Sequence, residues 1–370
     1  MKCPHCRHDM KRRERSGTCT KCHKKYALDP KTNEWALHDA RLVKIVDKLS
    51  DGGKLLVSDD HLRFFLARKT TPESGGGGCV LYVATLISAV ALSPALMADG
   101  HTLAAILVPQ FFLSLALALT FLRKPRPFPR NKLKTTPDLR ATLLVYSSVY
   151  GALPPGLVLA DAIARRPERC LPSGPLHAVV VSPSATVIDA LRINGVAERH
   201  GVGLLCTTRR DDADADEILR RLRDRPSLPI LLFHDASPEG LLLAEDLPTQ
   251  LSLRPEQRIL DMGLFPRRSI AKKRLCLGVP VHELSLARLR ARGEPQSATT
   301  RAFRRKRAAL ADAELAWLAQ GRTTPIESLM PRDLIQRVTA ACTRLAPKKS
   351  DARAIVRDFG FMTQPPPPAA

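Results

Sequence analysis

The sequence predicts a multi-module chain: a small four-cysteine module, a two-helix transmembrane hairpin, and a parallel-sheet α/β domain followed by C-terminal helices. Three observations carry this. Two CxxC pairs stand within the first 22 residues, two uncharged stretches of spanning length follow a glycine-rich linker, and apolar strands then alternate with amphipathic helices. The implied division is 1–30, 31–70, 71–78 (linker), 79–122 (hairpin), 123–136 (basic juxtamembrane segment), 137–290 (α/β domain), 291–363 (helical region) and 364–370 (proline-rich tail).

The chain has 370 residues, of which 44% are hydrophobic, and carries a formal charge of +22. That excess points to a polyanionic partner, nucleic acid or an anionic lipid surface, or reflects an arginine-rich background composition. The nine cysteines are an odd number, and the start "MKCPHCRHDM" is polar, so neither a disulfide framework nor a secretory signal is expected.

The first module rests on Cys3, Cys6, Cys19 and Cys22, two CxxC turns separated by twelve residues. Each turn aims two thiolates at one point. Four thiolates complete a tetrahedron around Zn(II) with no open position, which makes a structural rather than a catalytic site. Neighbouring Lys and Arg side chains favour deprotonated sulfur. A redox pair and a labile iron site are the other uses of such cysteines, and His5, His8 or His23 could replace one ligand. With the following "YALDP", the stretch resembles the zinc ribbon that opens many prokaryotic membrane proteins, a resemblance that implies a fold and a metal but no activity.

Leu42, Ile45, Val46 and Leu49 share one helical face, and "SDGG" ends that helix. A short strand, a cap at Ser58 and a second helix with Leu62, Phe65 and Leu66 inward follow. These elements could touch DNA or pack on the ribbon; packing is the expected role.

The stretches 79–98 and 102–122 lack charged residues, and each is long enough to cross a hydrocarbon core. Arg63, Arg68 and Lys69 precede them, and Arg123, Lys124, Arg126, Arg130, Lys132 and Lys134 follow. The connecting "DGH" has no Lys or Arg, so the positive-inside rule places both termini in the cytoplasm of a bacterial inner membrane. Gln110 is the one strongly polar side chain deep in the spans, which favours an anchor over a pore.

Beyond residue 137, "HAVVVSP", "VGLLCTT", "PILLFHD" and "QRILDMGLFP" read as strands, with helices between them: a Rossmann-like parallel sheet. Ligands of such sheets sit at the carboxyl ends of the strands, where Ser182, Thr207, His234, Asp235 and Ser237 fall. The motif "DASPEG" after an apolar strand resembles the Toprim domain of topoisomerases and primases, over about Pro175 to Phe265. In that family carboxylates at strand ends hold Mg(II) for strand cleavage. Asp235 matches the first aspartate, but Ser237 stands at the second and Ser182 at the expected glutamate. The resemblance therefore implies a degenerate site, with Asp235 as the one catalytic candidate and Glu239 serving as favourable charge at a helix start. A generic Rossmann-like domain, in which Asp235 merely caps the next helix, accounts for the motif equally well. No phosphate-cradling glycine motif occurs, and Cys206 reads as a core thiol.

A helix is expected over 299–322, its start carrying Arg301, Arg304, Arg305, Lys306 and Arg307, with two more helices beyond. Three functions remain open. The first is a membrane-anchored binding or regulatory protein that recognises a polyanion or a protein partner, or assembles with copies of itself. The second is a tethered metal-dependent nuclease or phosphotransferase using Asp235, revived if Asp189, Glu239 or Asp261 reaches that side chain. The third is a ligand-gated two-span membrane effector.

Overall fold

The computed structural model describes residues 1–70 apart from 12, 14 and 34, then 128–129, 139–209, 214–271 apart from 255, 276–290 and 310–345. The predicted hairpin at 79–122 lies outside the described residues, as do the linker at 71–78 and the tail. So do the basic residues Arg123, Lys124, Arg126, Arg130, Lys132, Arg304, Arg305, Lys306 and Arg307. Among the described residues no helix is long and apolar enough to cross a membrane.

After the cysteine module come α1 (Asp39–Leu49), β1 (Val57–Ser58) and α2 (Asp59–Thr70). The predicted apolar face of α1 is the buried one, and Ser58 Oγ accepts the His61 N–H at 3.2 Å to cap α2. Then follow β2 (Phe128–Pro129), α3 (Leu139–Tyr150), β3 (Leu157–Val158) and α4 (Ala160–Ala164). Leu42, Ile45, Val46, Leu62 and Leu66 from before the gap share one core with Leu139, Leu143, Tyr146 and Leu157 from after it. The strands agree: β1 pairs in parallel with β3, Val57 opposite Leu157. The composition divides the chain at 71–136, yet the packing joins its two sides.

The parallel α/β domain is present as expected. It runs β4 (Ala178–Ser182), α5 (Ala185–Ile193), α6 (Val196–His200), β5 (Val202–Cys206), α7 (Ala215–Asp224), β6 (Ile230–Leu232), α8 (Pro238–Gln250) and β7 (Ile259–Asp261). The strand order is β5-β4-β6-β7, all parallel. β4 is buried at every position, which is why it reads as an unbroken apolar run rather than an alternation. The stretch 184–201 between the first two of these strands reads in the sequence as one helix capped at Ser184, and is instead two. Gly195 turns left-handed (φ 64°), and Asn194 spends its side chain on another segment, accepting from Leu56 N at 2.8 Å and donating to Leu56 O at 2.9 Å.

The remainder is α9 (Pro266–Ala271), β8 (Leu277–Gly278), α10 (Glu283–Arg290), α11 (Asp312–Ala319), β9 (Arg322–Thr323), a 3₁₀ turn (Ile326–Ser328) and α12 (Pro331–Leu345). The described part of the helix expected over 299–322 starts at Asp312 and stops before Gly321 (φ 68°), whose successors form a strand. The 3₁₀ turn and α12 are not a separate layer: Ile326, Leu329, Leu334 and Val338 sit in the same core as the sheet. A second sheet, β2-β8-β9, pairs Phe128 in parallel with Leu277 and sets Leu277 antiparallel to Thr323.

Replacing Asn194 with Ala removes both bonds to Leu56 and leaves that backbone underserved. The expected loss of stability is about 1–3 kcal/mol, read as a lower denaturant midpoint of the purified chain; an unchanged midpoint would show that Asn194 does not hold the N-terminal segment.

Candidate metal centre and strand-end cleft

The two CxxC turns fold as near-copies of one another. In each, the first cysteine N–H bonds a carbonyl five residues on (His8 at 2.8 Å, Lys24 at 3.0 Å). Its carbonyl accepts an N–H four residues on, from Arg7 at 3.0 Å and from His23 at 2.9 Å. Arg7 and His23 take left-handed backbone (φ 60° and 54°), and antiparallel bridges Lys2–Asp9 and Thr18–Lys25 close the two hairpins. A left-handed non-glycine residue costs about 1–3 kcal/mol, so the surrounding turn must impose that conformation.

The turns face each other. Cys3 Sγ lies 3.7 Å from Cys22 Sγ and Cys6 Sγ 3.7 Å from Cys19 Sγ, and all four sulfurs fall within 4.8 Å of one another. A disulfide needs ~2.05 Å. A tetrahedron of ~2.3 Å bonds has sulfur–sulfur edges of ~3.8 Å, so the spacing matches shared coordination rather than oxidation. These four thiols form a group that could hold a metal ion, and His5, His8 and His23 stand outside it. His5 instead engages the Lys25 carbonyl at 2.9 Å.

The thiols are electrostatically unequal. The Cys22 N–H, assisted by that of Lys21 against the cost of burial, brings Cys19 down to about 6. At Cys6 the His8 N–H pulls downward, but burial and the other three thiols outweigh it and raise the group to about 11. Cys19 thus favours the thiolate and Cys6 the thiol, and gathering all four sulfurs around a cation would release protons.

Asp39 joins this module to the body. Its buried carboxylate accepts from Leu28 N at 2.8 Å, Ala27 N at 2.9 Å and the Tyr150 hydroxyl at 2.6 Å. Burial, reinforced by that bond to Asp39, pushes the Tyr150 phenol well above its ordinary range, so it stays a donor.

The sheet order reverses between β4 and β6, the crevice where ligands of open α/β sheets bind. Of the residues predicted at the strand ends, Asp235 and Ser237 line the cavity at this crevice and Ser182, Thr207 and His234 do not, and their side chains are used differently from one another. Ser182 is fully buried, and its Oγ accepts from Ser184 N at 3.2 Å. Thr207 donates its N–H to Ser182 O at 3.0 Å. Ser237, not Asp235, caps α8: its Oγ accepts from Gly240 N at 3.0 Å. Asp235 turns the other way, where Oδ1 accepts the Ile326 N–H at 2.7 Å, beside a bridge between Ala236 and Thr324. It therefore braces the 3₁₀ turn rather than the helix that follows it.

Among the described residues, Asp189, Glu239 and Asp261 form no group of three metal-ligating side chains with Asp235. Asp189 pairs with Arg209 (2.8 Å) and Arg192 (3.4 Å). Asp261 Oδ1 bonds His234 Nε2 at 3.0 Å and accepts from Gly263 N at 2.9 Å, while His234 Nδ1 meets Asp235 O at 2.7 Å. A Cβ on Gly263 would fall 2.3 Å from the His234 ring, so the pair requires glycine there. Glu239 is exposed in the first turn of α8. Among the described residues, the four cysteines are the one group of three or more metal-ligating side chains close enough to share an ion.

A cavity of about 440 Å³ opens at the crevice. Pro183, Asp235, Ser237 and Glu239 form one side of it, and Val279–His282, Gly321 and Thr323 form the other. The second wall has no sequence signature, because it depends on pairing between strands of two residues each, far apart in the chain.

Asp235→Ala leaves the Ile326 N–H without its acceptor and is expected to lower stability by about 1–3 kcal/mol, whereas Asp235→Asn keeps an acceptor oxygen and most of that stability. Thermal unfolding of both variants separates this brace from a metal ligand, for which asparagine would be a poor replacement. No protein-family model matches the chain, and no curated protein matches its sequence.

Proposed function

We propose that the chain is a membrane-anchored, zinc-stabilised binding or regulatory protein whose α/β domain recognises a partner rather than catalysing a reaction. The observation that carries this reading is the bond from Ile326 N to Asp235: the one catalytic candidate is spent on holding the C-terminal turn. Ser182 and Ser237 are likewise spent on local turns. Zinc is the metal that best suits four sulfurs at this spacing, with no position left for substrate. The anchor is the uncharged pair 79–98 and 102–122. It gains support from the described ends around it: Ala67 and Phe64 on α2 pack with Leu277, and Phe128 on the returning chain pairs with Leu277. A chain that leaves and re-enters at one point suits an out-and-back excursion with both ends on one side.

The partner in this reading is a polyanion, nucleic acid or anionic lipid, recognised through Arg123, Lys124, Arg126, Arg130, Lys132, Arg304, Arg305, Lys306 and Arg307. Purified full-length chain is expected to carry zinc, and Cys19→Ser to lose most of it, as measured by elemental analysis; iron, or no metal, in the wild type would overturn the zinc assignment. Binding to duplex DNA, RNA and anionic-lipid nanodiscs, titrated at rising salt, tests the partner. Charge reversal at Arg304, Arg305, Lys306 and Arg307 is expected to weaken binding about tenfold or more at low salt. Binding that ignores both salt and charge reversal would leave a protein partner instead.

A ligand-gated membrane effector is favoured by one specific observation. Val279–His282, a wall of the cavity, directly follows β8, the strand on which both ends of the 71–127 excursion meet. Val281→Trp, which fills the cavity as a ligand would, is expected to raise dye leakage from proteoliposomes of the full chain. Leakage equal to wild type would sink this reading.

A further inference from the structure

The helix α3 buries Leu139, Leu143 and Tyr146 and turns an apolar strip outward. Leu144 is 50% exposed, Val145 49% and Val149 37%, three of the five most exposed large hydrophobic side chains among the described residues. Ala141 and Ser148 complete the strip at helical spacing, with no charge within it. Arg140 at its edge is paired with Asp161. A core position would bury such residues, and a solvated face would carry Lys or Glu.

The position of this helix in the chain says what covers it. If 79–98 and 102–122 cross a bilayer, Thr70 on α2 reaches Cys79 through at most ~32 Å of extended chain, and Leu122 reaches Phe128 through at most ~21 Å. A folded body of this size has a radius of gyration of roughly 18 Å and so a diameter above either tether. The body is then pressed onto the bilayer by the face from which the chain leaves. Helix α2 ends on that face, and α3 packs directly against α2. In the sequence, Arg126, Arg130, Lys132 and Lys134 stand between the second apolar stretch and α3. An apolar helical strip preceded in the sequence by a basic run is the pattern of a helix that lies in the headgroup layer of an anionic membrane.

We propose that the outward strip of α3 (Ala141, Leu144, Val145, Ser148 and Val149) is a docking surface for the anionic lipid surface, which holds the body and the cysteine module in one orientation against the membrane. The proposal rests on the anchoring reading above. Through Tyr150, whose hydroxyl bonds Asp39 and whose ring stands 6.0 Å from that of His5, the docked helix would also set the position of the cysteine module.

The test is hydrogen–deuterium exchange of the α3 peptide in the full chain, reconstituted in nanodiscs of phosphatidylcholine alone, in nanodiscs of phosphatidylcholine with phosphatidylglycerol, and in detergent micelles. Exchange about tenfold slower in the anionic discs than in the zwitterionic ones is expected. It should be lost in the Leu144→Glu, Val145→Glu double variant and in the milder Leu144→Ser variant. Because both side chains are half exposed, these variants should keep the wild-type helix content in detergent; the milder one carries the test if the double variant does not fold. Equal exchange in all three environments, in a chain that resists carbonate extraction, overturns the proposal and leaves the anchor standing. Protection that is the same in every environment but falls on dilution assigns the strip to a second copy of the chain and also overturns it. Release of the chain by carbonate removes the anchoring reading and this proposal together.

Discussion

The architecture hangs on a strand of two residues. Leu277 and Gly278 pair with Phe128 and Pro129 on one edge and with Arg322 and Thr323 on the other, and the Leu277 side chain packs against Ala67 and Phe64. Four parts of the chain, spread from Phe64 to Thr323, thus meet in one small patch. The chain must leave α2 and return at β2 through the same spot, whatever lies between. The patch also stiffens the cleft wall, since Val279 donates its N–H to Gly321 O at 2.7 Å, and a Cβ on Gly321 would strike the Val279 carbonyl at 2.2 Å.

Two carboxylates, Asp39 and Asp235, illustrate one rule. Asp39 and Asp235 each satisfy backbone N–H groups of a segment remote in sequence, Ala27 and Leu28 in the first case and Ile326 in the second. A charged acceptor gives each such bond more strength than a neutral one, and the orphaned N–H would carry a desolvation penalty. Acidic residues at strand and helix ends therefore do structural work in this chain, and a motif built on their spacing can look like chemistry.

Much of this fold was legible in the sequence, because it is written locally. The CxxC spacing yields the knuckles, the apolar runs at 178–182 and 202–206 yield the buried strands, and Ser58 and Ser184 cap the helices they precede. The rest is written at long range. Nothing near Asn194 announces that its side chain will mimic a strand partner for Leu56, and that pairing, with Gly195, splits a helix that periodicity makes continuous. Asp235 is legible as a residue at a strand end, but not as the acceptor for a residue 91 positions away. The cleft was legible by half: Asp235, Ser237 and Glu239 follow one apolar strand, whereas Val279–His282 and Thr323 are brought there by strands too short to leave a pattern.

The shared core of α1, α2 and α3 has a consequence for how the molecule is made. The cysteine knuckles close over some twenty residues and can form as soon as they leave the ribosome. Leu42, Ile45, Leu62 and Leu66 cannot: their partners Leu139, Leu143 and Leu157 are synthesised only after residues 71–127. At elongation speeds of about 5–20 residues per second, this apolar surface stays uncovered for several seconds while that intervening stretch emerges. A factor that handles the emerging stretch therefore meets a nascent chain whose first domain is metal-ready and whose second is still open. The body can close only once both ends of the excursion have been delivered to Leu277.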